Sequence, residues 1–97
     1  MKSFRVDAYV VETLMADLVL HDHQPSAFLV YLRLWHQSAG RRGGVPVSHR
    51  DMADATGLSK SAVQAALRTL IRRRLVRVKR AHRTAVPEYA VLRPWRK

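Results

Sequence analysis

Ser, Lys, Gln and Arg side chains recur between residues 59 and 72 at spacings that could place them on one exposed side of a helix. A glutamine amide can pair with N6 and N7 of adenine, and an arginine guanidinium can pair with O6 and N7 of guanine. These residue types therefore indicate recognition of nucleic-acid bases and phosphates. The candidates are Ser59, Lys60, Ser61, Gln64, Ala65, Arg68 and Arg72, among which Ala65 would leave room for close approach.

The spacing of these residues predicts a helix with two distinct sides over residues 60–73. With Val63 at zero on a helical wheel of about 100° per residue, Leu67 and Leu70 fall within about 40° of it. Ser61 and Arg68 lie roughly 140 to 200° away on the same wheel, together with Ala65 and Arg72. A solvated side whose basic residues have no partner is the alternative interpretation.

The histidines offer a second possible chemistry, because imidazole and carboxylate groups can bind zinc or nickel. His21, Asp22 and His23 lie in one polar run, and His36 follows later. That run has no fixed third ligand and the chain has no Cys, so we interpret it as a solvated turn and expect neither a metal site nor a cofactor. The sequence also has no GxSxG, no HExxH and no Gly-rich phosphate loop, and we expect no enzymatic activity.

The charge of the chain is concentrated in its second part. The 18 Lys and Arg residues exceed the 7 Asp and Glu residues, which gives a formal net charge of +11. Residues 1–40 have a net charge of −1, whereas residues 41–97 have a net charge of +12. Such a basic segment in a folded domain predicts an acidic partner, most often nucleic acid. No apolar run approaches the roughly 18 residues of a membrane span, and we expect a cytoplasmic, nucleoid-associated chain without a secretory signal.

Two helices are predicted before the basic segment begins. Val10, Val11, Leu14 and Leu18 follow the spacing of an amphipathic helix over residues 7–19. Pro25 suits the first turn of a second helix, because its missing N–H would have no intrahelical partner there. We expect this helix to extend to about Gln37. A Gly-rich loop that contains Arg41 and Arg42 follows it.

Two capping signals divide the next segment into two helices joined by a short turn. Ser48 and Asp51 resemble a capping box, which predicts that a helix begins near His49. Gly57 can adopt the left-handed conformation that ends this helix, and Ser59 then caps the helix over residues 60–73. Two helices joined by three residues form a helix-turn-helix, in which the second helix can enter the major groove of DNA.

Alternating apolar residues after the last helix predict a β-hairpin. Its strands would contain Leu75, Val76 and Val78, and then Pro87, Tyr89 and Val91. Val45 and Val47 could add an edge strand around Pro46. If Val76 and Val78 face inward, Arg77 and Lys79 point outward. The basic candidates on this hairpin and its flanks are Arg41, Arg42, His49, Arg77, Lys79, Arg80, His82 and Arg83.

The predicted fold is α+β but mainly α, with a single domain over residues 1–97. It is a winged helix-turn-helix with two N-terminal helices, a helix-turn-helix and a C-terminal β-hairpin wing whose tip covers residues 80–86. Residues 1–40 form a helical scaffold and possible dimerisation region, residues 45–92 form the helix-turn-helix and wing, and residues 93–97 form a basic tail.

The run HRDMADATGLSKSAVQAALRTLIRRRLVRV resembles the winged helix-turn-helix core of bacterial transcription regulators of the MarR and GntR type. The resemblance implies that Ser59, Lys60, Ser61, Gln64 and Arg68 face the groove and that Arg83 and its neighbours form the wing. Arg74 and Leu75 replace the Gly-Leu pair that ends the helix in such proteins. The matching positions are Ala53, Gly57, Ser59, Leu67, Leu70 and Leu75.

A looser resemblance, carried by PSAFLVYLRLW, connects the preceding helix with winged helices of replication-initiator proteins. The resulting hypothesis is a double-stranded DNA-binding protein that regulates transcription in a bacterium. A winged-helix module for replication initiation, RNA binding or protein interaction is the alternative. Because one small winged helix contacts only a short site, we also expect a homodimer formed through the first helix by Val10, Val11, Leu14 and Leu18.

Overall fold

Buried apolar side chains from every helix and strand meet in one hydrophobic core in the computed structural model, which describes residues 2–96. Residues 2–96 form four helices and a three-stranded antiparallel sheet, so the predicted α+β class and winged helix-turn-helix architecture are confirmed. Lys97 of the predicted basic tail lies outside the described residues. None of the helices in residues 2–96 has the length and apolar character that crossing a bilayer requires.

The first helix, α1, covers residues 8–21 and contains two π-helical segments, Val10–Leu14 and Asp17–His21. The prediction of a regular α-helix over residues 7–19 was wrong in this respect. In an α-helix, residues four apart drift by about 40° around the axis, because a turn holds only 3.6 residues. The wider π turns reduce this drift. As a result, Val10, Leu14 and Leu18 all lie in the core.

The assignment of Val10, Leu14 and Leu18 to a dimer surface was therefore wrong. These three side chains are almost completely buried within the monomer, because α1 packs along the second helix. Val11, the fourth predicted residue, points outward with 57% of its surface exposed.

The second helix, α2, extends over Pro25–Ser38 and lies at the centre of the core. Pro25 occupies its first turn, as predicted. Tyr31 is fully buried, and its hydroxyl donates a hydrogen bond of 2.9 Å to the carbonyl oxygen of Leu92. The indole of Trp35 donates to the carbonyl oxygen of Arg5 over 2.7 Å. These two bonds connect α2 to both ends of the chain.

The helix-turn-helix consists of α3, His49–Thr56, and α4, Lys60–Arg72. The hydroxyl of Ser48 accepts a hydrogen bond from the backbone N–H of Asp51 at 3.0 Å and caps α3. Gly57 ends α3 with a φ of 78°, where a side chain would be strained. The predicted start of both helices and the three-residue turn are confirmed, and α4 ends at Arg72, one residue before the predicted Arg73.

The end of α4 has a left-handed residue that is not glycine. Arg74 has a φ of 57°, and the backbone N–H of Leu75 donates to the carbonyl oxygen of Leu70 at 2.9 Å. This bond across five residues is the mark of a Schellman ending, in which glycine is the usual left-handed residue. The departure from the Gly-Leu pattern therefore leaves the helix end in its usual geometry.

The sheet has the strand order β1-β3-β2, with β1 at Val45–Pro46, β2 at Val76–Lys79 and β3 at Glu88–Val91. Pro46 lies in an edge strand, as its missing N–H requires. Val76 and Val78 share one side of β2, but only Val76 is buried, because Val78 lies beyond the core with 39% of its surface exposed. Of the two valines that could face inward, only Val76 therefore lies in the core.

Candidate nucleic-acid interface

The N-terminal half of α4 presents short and polar side chains outside the core. The hydroxyl of Ser59 accepts a hydrogen bond from the backbone N–H of Ala62 at 3.1 Å and lies 3.3 Å from the hydroxyl of Ser61. Ser59, Lys60, Ser61, Arg68 and Arg72 are exposed, whereas Gln64 and Ala65 are half-buried. All seven predicted residues of this helix therefore remain accessible in whole or in part.

The opposite side of α4 determines which residues face outward. Val63, Ala66, Leu67 and Leu70 are buried against α2 and α3. Burying four apolar side chains along one side prevents rotation of the helix about its axis, because rotation would return that surface to water. The separation into a core side and an exposed side agrees with the wheel.

His49 connects α4 to the sheet through both of its ring nitrogens. Its Nδ1 lies 3.4 Å from the amide Nε2 of Gln64, and its Nε2 lies 3.5 Å from the hydroxyl of Tyr89. An amide nitrogen can only donate, so Nδ1 accepts and the ring proton lies on Nε2. The neutral ring agrees with the environment: burial lowers the pKa of His49, and the charges of Lys60 and Arg80 lower it further.

Basic residues surround His49 on the side of the sheet that faces α4, which we call the front face. One shallow groove there is lined by His49, Arg50, Lys60 and Arg80. A second groove beside it is lined by His49, Gln64, Arg68, Arg80 and Val78, among others. The structure therefore brings the N-terminal half of α4 together with the base of the wing, and the two grooves form a continuous open surface around His49.

Arg50 lies on this surface although the sequence analysis did not select it. The sequence contained a signal for it, because Arg50 directly follows the capping residue Ser48 and His49 at the start of α3. Side chains at this end of α3 lie beside α4. Its omission came from treating α3 only as the helix that supports α4.

The wing tip carries three further predicted residues beyond the sheet. Arg80 donates to the carbonyl oxygen of Ala85 over 3.3 Å, which links the two sides of the tip. His82 Nδ1 lies 3.2 Å from the hydroxyl of Thr84. Arg83 and His82 are exposed at the turn. These residues could reach a ligand that extends beyond the front face.

Four predicted residues lie away from the front face. Arg77 and Lys79 alternate with Val76 and Val78 along β2, so they point to the opposite side of the sheet, which we call the back face. There Arg77 lines a groove with Arg41, and Arg77 and Lys79 line another with Gly43 and Gly44. Arg42 is exposed in the same loop as Arg41. The structure does not bring these residues together with α4.

The histidines and acids that were considered as metal ligands have other neighbours. His21 lies 3.3 Å from Asp17, and Asp22 accepts two hydrogen bonds from Arg73 at 3.0 and 3.1 Å. His36 packs against the ring of Phe4. Within residues 2–96, no three histidine or carboxylate side chains form a group that could hold a metal ion.

Comparison with known protein families shows to which family this domain belongs. Residues 26–95 match the Crp-like helix-turn-helix domain, and this segment contains α2, the helix-turn-helix and the complete wing. The chain belongs to the Crp-like helix-turn-helix family. Members of this family have a winged helix-turn-helix that binds DNA. Comparison with curated proteins and with solved structures finds no match.

Membership of the Crp-like helix-turn-helix family gives the front face a specific interpretation. The matched segment includes all front-face residues described above, from His49 and Arg50 to Arg80. It begins after α1, so the apolar residues that α1 exposes lie outside the matched segment. The contacts of individual side chains with DNA remain predictions.

Proposed function

We propose that this Crp-like domain binds double-stranded DNA through its front face and acts as a bacterial transcription regulator at the nucleoid. The observation that supports this proposal is the open, basic surface that the N-terminal half of α4 shares with the base of the wing. A helix whose accessible side lies at an open surface can enter the major groove, which is wide enough for one α-helix.

Each front-face residue has a role that follows from its chemistry. Gln64 and Arg68 have the amide and guanidinium groups that read base edges, and they line the same groove. Ser59, Lys60 and Ser61 lie at the N-terminus of α4, where the helix dipole favours phosphate. Ala65 permits close approach of the helix to the bases, and Arg72 would contact phosphate farther along the groove.

The wing and the start of α3 complete the proposed interface. Arg50 and Arg80 flank His49 and would bind phosphates on either side of α4. His82 and Arg83 at the wing tip would contact the backbone or the minor groove beside the major-groove site. Because phosphate contacts do not distinguish sequences, we assign sequence selectivity to Gln64 and Arg68.

We further propose that two copies associate through α1. Val11, Met15 and Val19 form an exposed apolar strip beside the buried residues of α1. Residues 1–40 have a net charge of −1, so two such segments can approach without the repulsion that the basic segment would cause. The dimer would present two α4 helices to half-sites about 34 to 36 Å apart.

Selection of bound sequences from random duplexes, followed by titration of the preferred duplex, tests the proposed function. We expect one enriched motif and an affinity that falls with salt at a log–log slope of about −0.9 per contacted phosphate. Replacing Lys60 and Arg68 by Gln should reduce both the affinity and the slope, whereas the control Lys2→Gln with Arg5→Gln should leave both nearly unchanged. An affinity that does not respond to salt, or a structured RNA that binds more tightly than the preferred duplex, would contradict the proposal.

A further inference from the structure

The back face of the sheet has a basic surface that the proposed DNA interface does not use. Arg77 and Lys79 project from β2 on the side opposite Val78, and Val78 lines the groove beside α4. Arg41 and Arg93 lie beside Arg77 in the adjoining groove. Because neighbouring residues of a strand point to opposite faces, Arg77 and Lys79 point away from a duplex that is bound to α4.

The shape of the back face suits a continuous charged backbone. The small residues Gly43, Gly44 and Ala90 line its grooves together with the cations. Gly44 also lies close against β3, where an added Cβ atom would come within 3.0 Å of the Cβ of Glu88. Small residues beside the cations leave room for close approach of a phosphate backbone.

The charges on the back face are strongly unbalanced. Arg41, Arg77, Lys79 and Arg93 line its two grooves, whereas Glu88 is the one carboxylate among residues 2–96 that lines them. The guanidinium of Arg93 lies 4.3 Å above the ring of Trp35, and such a cation–π contact holds this side chain in place. Both grooves lack the aromatic anchors that protein interfaces usually contain. The surface therefore fits an anionic polymer better than a protein partner.

From these observations we propose that the back face binds a second segment of duplex DNA, so that one protein molecule bridges two duplexes. The inference depends on the proposed function, because α4 must bind the first duplex. This second contact is independent of sequence, since the cations of the back face can bind phosphates and the described residues that line its grooves include no amide side chain to read a base. The protein would then connect DNA segments as well as recognise a site.

Capture of a second duplex tests this proposal with the intact chain. The preferred duplex is immobilised and saturated with protein, and retention of a fluorescent duplex of unrelated sequence is measured. The back-face variant carries Arg77→Gln and Lys79→Gln, two exposed positions whose replacement leaves the core intact. The control variant carries Lys2→Gln and Arg5→Gln, which removes the same charge from exposed positions outside the basic segment.

We expect the wild type and the control variant to retain the second duplex. The back-face variant should retain at least about fivefold less of it, because two phosphate contacts disappear. Its affinity for the preferred duplex alone should stay within about twofold of the wild type, because the first site reads the duplex through α4. Far-UV circular dichroism of both variants verifies the fold.

Four results would overturn the inference, and each has a distinct meaning. If the back-face variant still retains the second duplex, a dimer bridges the two duplexes with its two front faces. Equal losses of retention and of affinity for the first duplex would assign Arg77 and Lys79 to the primary interface. Normal binding of the first duplex without any retention would reject the second surface alone, whereas failure to bind the first duplex would reject the proposed function as well.

Discussion

The indole Nε1 of Trp95 donates a hydrogen bond of 2.8 Å to Oδ2 of Asp7 and thereby ties the C-terminal tail to the residue that precedes α1. The guanidinium of Arg96 donates to both carboxylate oxygens of Asp7, over 2.7 and 2.6 Å. The ring of Trp95 also stacks on Tyr9, with ring centroids 4.5 Å apart. Trp95 and Arg96 of the tail therefore pack on the helical scaffold.

These contacts make the stability of the protein depend on pH through Asp7. Hydrogen bonds from Arg96, and then from Trp95, lower the pKa of Asp7 from 3.8 to about 2. A carboxyl group with a lowered pKa in the folded state contributes stability above its unfolded pKa, and this contribution is lost as the pH falls from 3.8 to about 2. In urea denaturation, the free energy of unfolding of Asp7→Asn should fall less over this pH interval than that of the wild type. An equal fall in the free energy of unfolding for the two proteins would contradict the assignment of this pH dependence to Asp7.

Replacing Arg74 by Gly should stabilise the folded protein. Arg74 has a φ of 57°, and a residue with a Cβ atom costs about 1 kcal/mol or more in this conformation. We therefore expect Arg74→Gly to raise the melting temperature by about 4 to 8 °C, the shift that about 1 kcal/mol produces in a domain of this size. Arg68→Gly is the matched control, because glycine inside a helix should lower stability by about 1 kcal/mol. A lower melting temperature for Arg74→Gly would show that the helix end does not have this conformation.

Substitutions on α4 and on the wing should affect DNA binding in different ways. Gln64→Ala and Arg68→Ala should each lose about 1 to 3 kcal/mol of discrimination at a particular base pair, because a bidentate contact disappears. Arg83→Ala should weaken binding to every sequence by a similar factor, because a phosphate contact carries no sequence information. Competition between the preferred duplex and duplexes with single base-pair changes measures both effects. Equal, sequence-independent losses for all three variants would mean that α4 does not read bases.

The proposed dimer predicts a specific sensitivity at Val11. This side chain is 57% exposed in the monomer, so Val11→Glu should disrupt association without disturbing the core. Sedimentation at micromolar concentration should show a dimer for the wild type and a folded monomer for the variant. Thr13→Glu adds the same charge at another exposed position of α1, outside the apolar strip, and should remain dimeric. A wild type that is monomeric both with and without DNA would reject the dimer.

Local signals in the sequence were sufficient to predict most of the fold. Ser48, Gly57 and Ser59 determine where α3 and α4 begin and end, because capping and left-handed turns depend on a few adjacent residues. The wing followed from alternation of apolar residues, which is also a local property. The exposed residues on the N-terminal half of α4 could be predicted because the helical repeat alone separates them from Val63 and Leu67.

Only the tertiary structure decided which surfaces these elements share. The repeat of α1 could not show that Val10, Leu14 and Leu18 meet α2 rather than a second molecule, because burial depends on the partner that packs against the helix. The sequence placed Arg77 and Lys79 with Arg80 as one basic set, but the sheet directs the first two to the back face. Likewise, the contact of His49 with Gln64 and Tyr89 joins residues 15 and 40 positions apart. The sequence by itself thus determined the elements and their exposed chemistry, whereas the packing of those elements in space decided which charged groups act together.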